Sequence, residues 1–506
     1  MGIKASLSKP YAKYIAKKVK KESANAISLQ EKVFISLIEK AKNTVFGKDH
    51  HFEKIKTYED FKKYVPIRDY EKLKSYMERV VNGEENILWP GKPLYLCKTS
   101  GTTSGTKYIP LTKASMPNHI GSAKNALLCY IAETGKANFV DGKMIFLQGS
   151  PELQSKNGIP IGRLSGIVAN HVPKYLQKNR MPSYTTNCID DWETKVNAVA
   201  NETMVEDMRL ISGIPSWVQM YFEILSAKNG GKTISEIFPE FSLFVYGGVN
   251  FEPYRSRFEK LIGKKIDSIE LYPASEGFIA YQDSQKEKGM LLTINSGIFY
   301  EFIPADEYHP DNYRDENPTR ISLKDVEIGK NYAIILNNNA GLWGYSIGDT
   351  VKFVSKDPYR IIVSGRIAHY TSAFGEHIIG EEVEHAIKTT VEKCGGEIIE
   401  FHLAPQVNPP AGELPYHEWF IEFDKLPNDF SAFRNALEEV MMNKNIYYND
   451  LIKGNVLQPL KIRPVKKGGF NEYMKSQGKL GGQNKIPKLS NERKVAEGLG
   501  EFINVK

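Results

Sequence analysis

Short apolar runs alternate with amphipathic stretches from about residue 94 onward, and this alternation restricts the chain more than any other feature. Leu94 to Cys97, Met144 to Leu147, Leu243 to Tyr246, Ile266 to Leu271, Ile298 to Ile303 and Tyr332 to Leu336 each read as a strand. Strands interleaved with helices predict an α/β architecture. One intervening helix is predicted between Asp190 and Met208, with Asp190 as cap, Glu193 completing a capping box, and Trp192, Val196, Val199 and Ala200 on one face. The stretch before about Val80 reads as Lys- and Glu-rich helices, broken at Pro66 and packed on the outside of a larger domain.

At 506 residues the chain is too long for one compact core, so two or more domains are expected. The break is placed after the alternating strand Val351 to Val354 and the Ser355-Lys356-Asp357-Pro358 turn, at Ser364-Gly365-Arg366. Domains 1–363 and 364–506 follow. The second contains a helix from Glu381 to Cys394 stopped by Gly395, strands near Ile398 to Leu403 and Trp419 to Phe423, and a helix from about Asp429 to Met442.

Charge and cysteine usage exclude several classes. A net charge of +7 over this length permits an anionic ligand without demanding nucleic acid. The four cysteines form no CxxC pair, which removes a disulfide framework or structural zinc site and suits a reducing, cytoplasmic setting. Met1 to Lys21 lacks the apolar core of a signal peptide, and no later stretch is apolar enough to span a bilayer, so no membrane partner is expected. Gly2 and Ser6 match a loose myristoylation pattern, for which a solvated basic helix is an ordinary alternative.

Chemistry concentrates in Thr99-Ser100-Gly101-Thr102-Thr103-Ser104-Gly105-Thr106-Lys107, directly after a predicted strand. Backbone N–H groups and hydroxyls can donate to phosphate oxygens while an ammonium neutralises charge, although a polar surface loop has the same composition. It is not a Walker A loop, because Thr106 stands where the second glycine belongs and Tyr108 follows the lysine. Leu271-Tyr272-Pro273-Ala274-Ser275-Glu276-Gly277 offers an aromatic face for a base, a hydroxyl for a phosphate and one carboxylate for Mg²⁺; a core tyrosine beside a solvated acid is the alternative. Tyr345-Ser346-Ile347-Gly348-Asp349 is read as joining two strands, with an aspartate able to accept both ribose hydroxyls. Tyr246-Gly247-Gly248-Val249-Asn250 ends a strand in a glycine pair, either a turn or a shelf for a flat ring.

In this order, the four segments resemble the ANL adenylating superfamily and, within it, the Gretchen-Hagen-type acyl acid amido synthetases. The likeness runs from about Leu94 to Leu489 and rests on the Ser104-Gly105 arrangement and the Tyr-x-x-Ser-Glu and Tyr-x-x-Gly-Asp forms. It implies a large N-terminal adenylate-forming domain with α/β sheets and a β-barrel-like part, followed by a small mobile α+β domain. It further implies ATP and Mg²⁺ as cofactors, a carboxylic acid and an amine such as an amino acid as substrates, and a monomer.

Carried over residue by residue, the resemblance places Ser100, Thr102, Thr103 and Lys107 in the phosphate loop and Val249 and Asn250 on the adenine wall. Tyr272 would lie beside the base, Ser275 at the α-phosphate, Glu276 on Mg²⁺ and Asp349 on the ribose. Arg366 takes the hinge position, although Ile367-Ala368-His369 departs from the usual basic pattern after it. Lys485, in Gly482-Gln483-Asn484-Lys485-Ile486-Pro487-Lys488, matches the lysine that approaches the acyl-adenylate; Lys479 and Lys488 are the alternatives. The same adenylation step also serves acyl-CoA ligases, and a non-catalytic nucleotide- or RNA-binding protein is a third reading. The ten Lys and Arg residues from Lys461 to Lys494 are read as a solvated, mobile lobe around that one functional lysine.

Overall fold

The computed structural model describes residues 2–99, 107–171, 177–189, 191–247, 251–308, 318–366, 376, 378–407, 409–410, 413–454, 456–479, 485–490 and 492–504. The chain divides into a larger unit, 1–249 with 259–363, and a smaller one, 250–258 with 364–506.

A 12-stranded sheet is the backbone of the larger unit. In one half, Arg180–Met181, Lys143–Phe146, Met208–Ser212, Leu243–Gly247 and Asp267–Ala274 run parallel in that spatial order. Helices Trp192–Thr203, Pro215–Lys228 and Glu252–Ile262 lie in the connections between these strands, as parallel pairing requires. These strands read as unbroken apolar runs because both faces are covered: Leu243, Phe244, Val245 and Tyr246 are all buried. The other half contains the antiparallel strands Gly277–Tyr281, Met290–Leu292, Ile298–Pro304, Asn331–Asn338, Tyr345–Lys356 and Tyr359–Arg366. A separate four-stranded sheet contains Tyr95–Thr99, Lys107–Leu111, Gln154–Lys156 and Ile159–Gly162.

The helix after Asp190 differs from its expected form. It spans Trp192–Thr203, and Asp191 rather than Asp190 caps it, its Oδ1 accepting the Thr194 N–H at 2.8 Å. Met208 opens a strand because it is buried with Leu210 and Ile211 against the sheet, so tertiary packing ends the helix early.

The N-terminal helices close over the sheet. Tyr58–Tyr64 is fixed by a Thr57/Asp60 capping box, and Tyr70–Val81 by Asp69, which accepts the Lys72 N–H. Phe34 and Phe61 meet edge to face, and Phe34 also packs on Phe299. Under this layer, fully buried Glu301 takes a bidentate pair from Arg320, at 3.0 and 2.8 Å, together with hydrogen bonds from Tyr58 and Asn337. Arg320 also donates to the Val65 carbonyl at 2.6 Å. Every lone pair of the buried carboxylate is thereby engaged, which makes such a charge tolerable in the interior.

The smaller unit pairs Glu397–Gln406 antiparallel with Tyr416–Lys425, and the latter parallel with Lys461–Val465. Helices Gly380–Cys394 and Phe430–Lys444 pack together beside this sheet. The region expected to be a mobile basic lobe is instead folded. Lys461–Val465 is a strand, Gly469–Ser476 a helix, and residues 488–490 bond to the edge at Leu403. Its cations meet acids: Arg463 and Arg493 both reach Glu418, and Lys467 reaches Asp424. Pairing spends this charge inside the unit.

Candidate functional site

Strands Tyr95–Thr99 and Lys107–Leu111 form an antiparallel pair in which Thr99 stands opposite Lys107. Both ends of the hydroxyl-rich segment are therefore tied at one level of one ladder. Ser100, Thr102 and Thr103 lie outside the described residues. Lys107 opens the second strand, half-buried, with its ammonium 5.6 Å from the centre of the Tyr70 ring.

Cys97, two residues before Thr99, links this stem to the second motif. Its fully buried thiol donates to the Ser275 hydroxyl over 3.1 Å. Burial pushes the Cys97 thiol up to about 12, the nearby Glu276 charge acts in the same direction, and the Ser275 bond opposes them. The thiol therefore stays protonated near neutrality and acts as a donor. Ser275 and Glu276 form the turn between strands Asp267–Ala274 and Gly277–Tyr281. Asn338 Nδ2 holds that turn through the Glu276 carbonyl at 2.6 Å, while Asn338 Oδ1 accepts the N–H groups of Ala340 and Leu342. On its other side, Asn118 clamps Phe278, accepting its N–H at 2.6 Å and donating to its carbonyl at 3.0 Å.

Tyr272 and Asp349 meet directly, the phenol donating to Asp349 Oδ2 at 2.6 Å. Their strands are four steps apart in the sheet order, a separation of about 19 Å if the sheet were flat. The sheet must curl back on itself here. Asp349 lies inside the long strand Tyr345–Lys356, not in a link between two strands as expected. The register shifts between Ala333 and Ile335, and Gly348 sits at φ +80°, so a bulge interrupts the ladder beside Asp349. A side chain at position 348 would be strained, whereas glycine is not.

Tyr246-Gly247 ends the strand Leu243–Gly247, and Val249 and Asn250 lie outside the described residues. Gly247 has a packing reason for lacking a side chain: a Cβ there would stand 2.5 Å from the Leu271 carbonyl oxygen. Arg366 ends the strand Tyr359–Arg366, and its side chain is outside the described set.

In the smaller unit, Lys485 is exposed, while Lys488 is not: it pairs with Glu400, lies 4.6 Å over the Phe401 ring, and its side chain is 13% exposed. The Lys488 carbonyl also accepts the Leu403 N–H at 2.9 Å. Lys488 is thus built into the sheet edge, whereas Lys485 lies at the surface.

Tyr272, Asp349, Ser275, Glu276 and the Lys107 stem are therefore linked within the larger unit by a short chain of contacts. Sequence reasoning gave Cys97, Asn118 and Asn338 no role at this turn. The run Asn337-Asn338-Asn339 at the end of an apolar strand was the available signal, since three adjacent amides at a buried strand end need partners.

Residues 15–191 match the GH3 family N-terminal domain, 291–366 its central domain and 381–494 its C-terminal domain. The chain belongs to the GH3 family, within the ANL superfamily of adenylate-forming, acid-activating enzymes. Among curated relatives, this GH3 chain is 23% identical to indole-3-acetic acid-amido synthetase GH3.15 of Arabidopsis thaliana, over 88% of this chain and 89% of that one. It is 24% identical to jasmonoyl–L-amino acid synthetase JAR4 of Nicotiana attenuata, over 58% of this chain and 60% of that one. The solved GH3.15 acyl acid amido synthetase superposes with a TM-score of 0.78 at 15% identity, covering 97% of this chain and 96% of that one. A 2-hydroxyisobutyryl-CoA ligase in its postadenylation state superposes with a TM-score of 0.56 at 13% identity, covering 96% and 90%. These superpositions place the GH3 chain in a shared fold: a large mixed α/β domain with an extensive sheet and a smaller α+β domain.

Proposed function

We propose that this GH3 protein activates a carboxylic acid with ATP, forming an acyl-adenylate and pyrophosphate, and then transfers the acyl group to the amine of an amino acid. The observation that carries the proposal is the linkage of the Tyr272–Asp349 pair to the Ser275–Glu276 turn and the Lys107 stem inside one unit. The relatives' names, which specify amino acid conjugates, support the choice of acceptor.

In this reading Asp349 accepts ribose hydroxyls while the Tyr272 phenol fixes the carboxylate orientation. The Tyr272 ring is assigned to the side of the adenine, and Val249 and Asn250, outside the described residues, to the adenine wall. Cys97 donates to the Ser275 oxygen, so the Ser275 proton is available for an α-phosphate oxygen. Ser100, Thr102, Thr103 and Lys107 hold the remaining phosphates, and Arg366 stands at the junction of domains 1–363 and 364–506.

The donor set suits Mg²⁺: one carboxylate at a tight turn beside a hydroxyl is enough for an ion that takes most of its ligands from phosphate and water. Glu276 would hold it, and the bound ion supplies neutralisation of the crowded phosphate oxygens.

In the first step the acid's carboxylate oxygen bonds to the α-phosphorus as the bond to the pyrophosphate oxygen breaks. Two anions must approach, so the contribution of Lys107 and Lys485 is charge stabilisation and positioning. In the second step the amine nitrogen bonds to the acyl carbon, AMP leaves with the former ester oxygen, and the nitrogen loses a proton. A rotation of the smaller domain about the junction would present Lys485 for the first step and withdraw it for the second.

ATP–pyrophosphate exchange across a panel of acids tests the first step, with Glu276→Ala as the inactive control. Exchange dependent on one acid class supports it; protein that binds ATP yet exchanges with no acid overturns it. Product analysis with amino acids and with coenzyme A tests the second step. An amide product supports the proposal, and a thioester alone assigns the chain to acid–thiol ligation.

A further inference from the structure

The first helix, Ile3–Ser23, displays a surface that the adenylation chemistry does not use. Its inner face is made of Ala5, Ala12, Ile15 and Val19, which pack with residues of the helix Met116–Thr134. Asp141 anchors its start, accepting the N–H groups of Gly2 at 2.7 Å and Ala5 at 3.1 Å. The orientation is therefore fixed, and the other face must look outward.

That outer face is apolar. Ile3, Leu7, Tyr11 and Tyr14 are 80%, 68%, 46% and 65% exposed. At about 100° per residue they fall within an arc of about 80°, and from residue 3 to 14 they run about 16 Å along the axis. Lys13, Lys17 and Lys20 flank the stripe on one side and Lys21 lies in line with its far end; all four are exposed and make no ion pair among the described residues. Lys18 continues the stripe at its far end, 4.0 Å from Glu22, and Lys124 reaches in from the neighbouring helix to 6.0 Å from the Tyr11 ring. The helix carries seven lysines and one acid.

We propose that this helix docks the protein on an anionic lipid bilayer, lying in the plane of the interface with Ile3, Leu7, Tyr11 and Tyr14 among the acyl-chain boundary and the lysines on acidic headgroups. An amphipathic helix with a basic flank and tyrosines at its apolar edge has the chemistry of the headgroup zone, where a ring body is buried and a hydroxyl stays wet. Charge decides against a second copy of this chain. Two such helices face to face would set lysine against lysine, and a single three-turn stripe is well below the surface a stable dimer needs. Nucleic acid would satisfy the lysines but leave the apolar stripe in water. The contact is peripheral: among the described residues, no helix is long and apolar enough to cross a membrane. The sequence alone suggested no membrane partner because the four apolar residues are spaced through a basic stretch and only the packing of the opposite face shows that they point outward.

Co-sedimentation of the full chain with phosphatidylcholine vesicles, with and without phosphatidylserine, tests the inference at low and high salt. Binding is expected to the anionic vesicles, weakening as salt rises. The triple variant Ile3→Ser/Leu7→Ser/Tyr14→Ser should lose about tenfold or more of that binding, and Lys13→Glu/Lys17→Glu a similar amount. Both variants change exposed side chains only, so melting temperature, and any ATP–pyrophosphate exchange measured without vesicles, should match the parent. Failure of the parent to bind anionic vesicles, or equal binding by the triple variant, overturns the inference. So does a dimer in light scattering that the triple variant loses while neither protein binds vesicles, which would make a second copy the occupant. The inference does not depend on the proposed reaction, and either can fail alone.

Discussion

Replacing Tyr272 by phenylalanine isolates one contact of the proposed nucleotide site. The ring, 6% exposed, stays in place, and only the hydroxyl that donates to Asp349 at 2.6 Å is removed. A hydrogen bond to a charged acceptor contributes about 1.5 to 3 kcal/mol. If that free energy is expressed in holding Asp349 toward a ribose, the KM for ATP rises about 10- to 150-fold, because each 1.4 kcal/mol corresponds to about tenfold. The acid KM should change little, since the acid does not meet Asp349. The assay is acid-dependent pyrophosphate exchange at varied ATP, run beside thermal melting, with Asp349→Asn and the double variant completing a cycle. An unchanged ATP KM with a lowered melting temperature would refute the reasoning, because the pair would then serve packing alone. A coupling energy below about 0.5 kcal/mol between the two positions would refute it as well.

Other outcomes follow from buried charge and from the lysine pair. Arg320→Met leaves Glu301 buried without its cation and should cost about 3 to 5 kcal/mol in urea unfolding, with part recovered in Arg320→Met/Glu301→Leu. Lys488→Ala should destabilise the protein by about 1 to 3 kcal/mol through loss of the Glu400 and Phe401 contacts. Lys485→Ala should leave stability within about 0.5 kcal/mol and slow adenylation about 10²- to 10³-fold; unchanged exchange would remove Lys485 from the mechanism. His119 is buried, and desolvation lowers its pKa from 6.5 to about 4. Above pH 6.5 both states are neutral and stability is full; between 6.5 and about 4 only the unfolded chain takes up the proton, so stability falls, by about 2 kcal/mol at pH 5. His119→Leu should flatten that part of the urea-unfolding pH profile, and an unaltered slope would assign it to other groups.

The amino-acid sequence determined the alternation of elements because burial leaves a period in the chain: the six apolar runs are all strands, and Asp429 caps the helix after it. It also pointed to segments rich in chemistry-bearing residues, and two of them, the Ser275 turn and the Cys97–Thr99 stem, meet in the larger unit. Helix ends were less legible, as the shift from Asp190 to Asp191 and the early stop at Thr203 show, because capping depends on which residue's carboxylate meets the first helical N–H groups. The resemblance put Tyr272 and Asp349 on one nucleotide, but their direct hydrogen bond was not legible. It depends on the curl of the sheet and on a bulge at Gly348, and those arise from how distant strands pack. Cys97, Asn118 and Asn338 were hidden for the same reason: each acts through a partner more than 60 residues away in the chain. Local sequence determines which face of an element is apolar, whereas only tertiary structure decides which apolar face is covered, and the uncovered stripe on the first helix is the difference between the two.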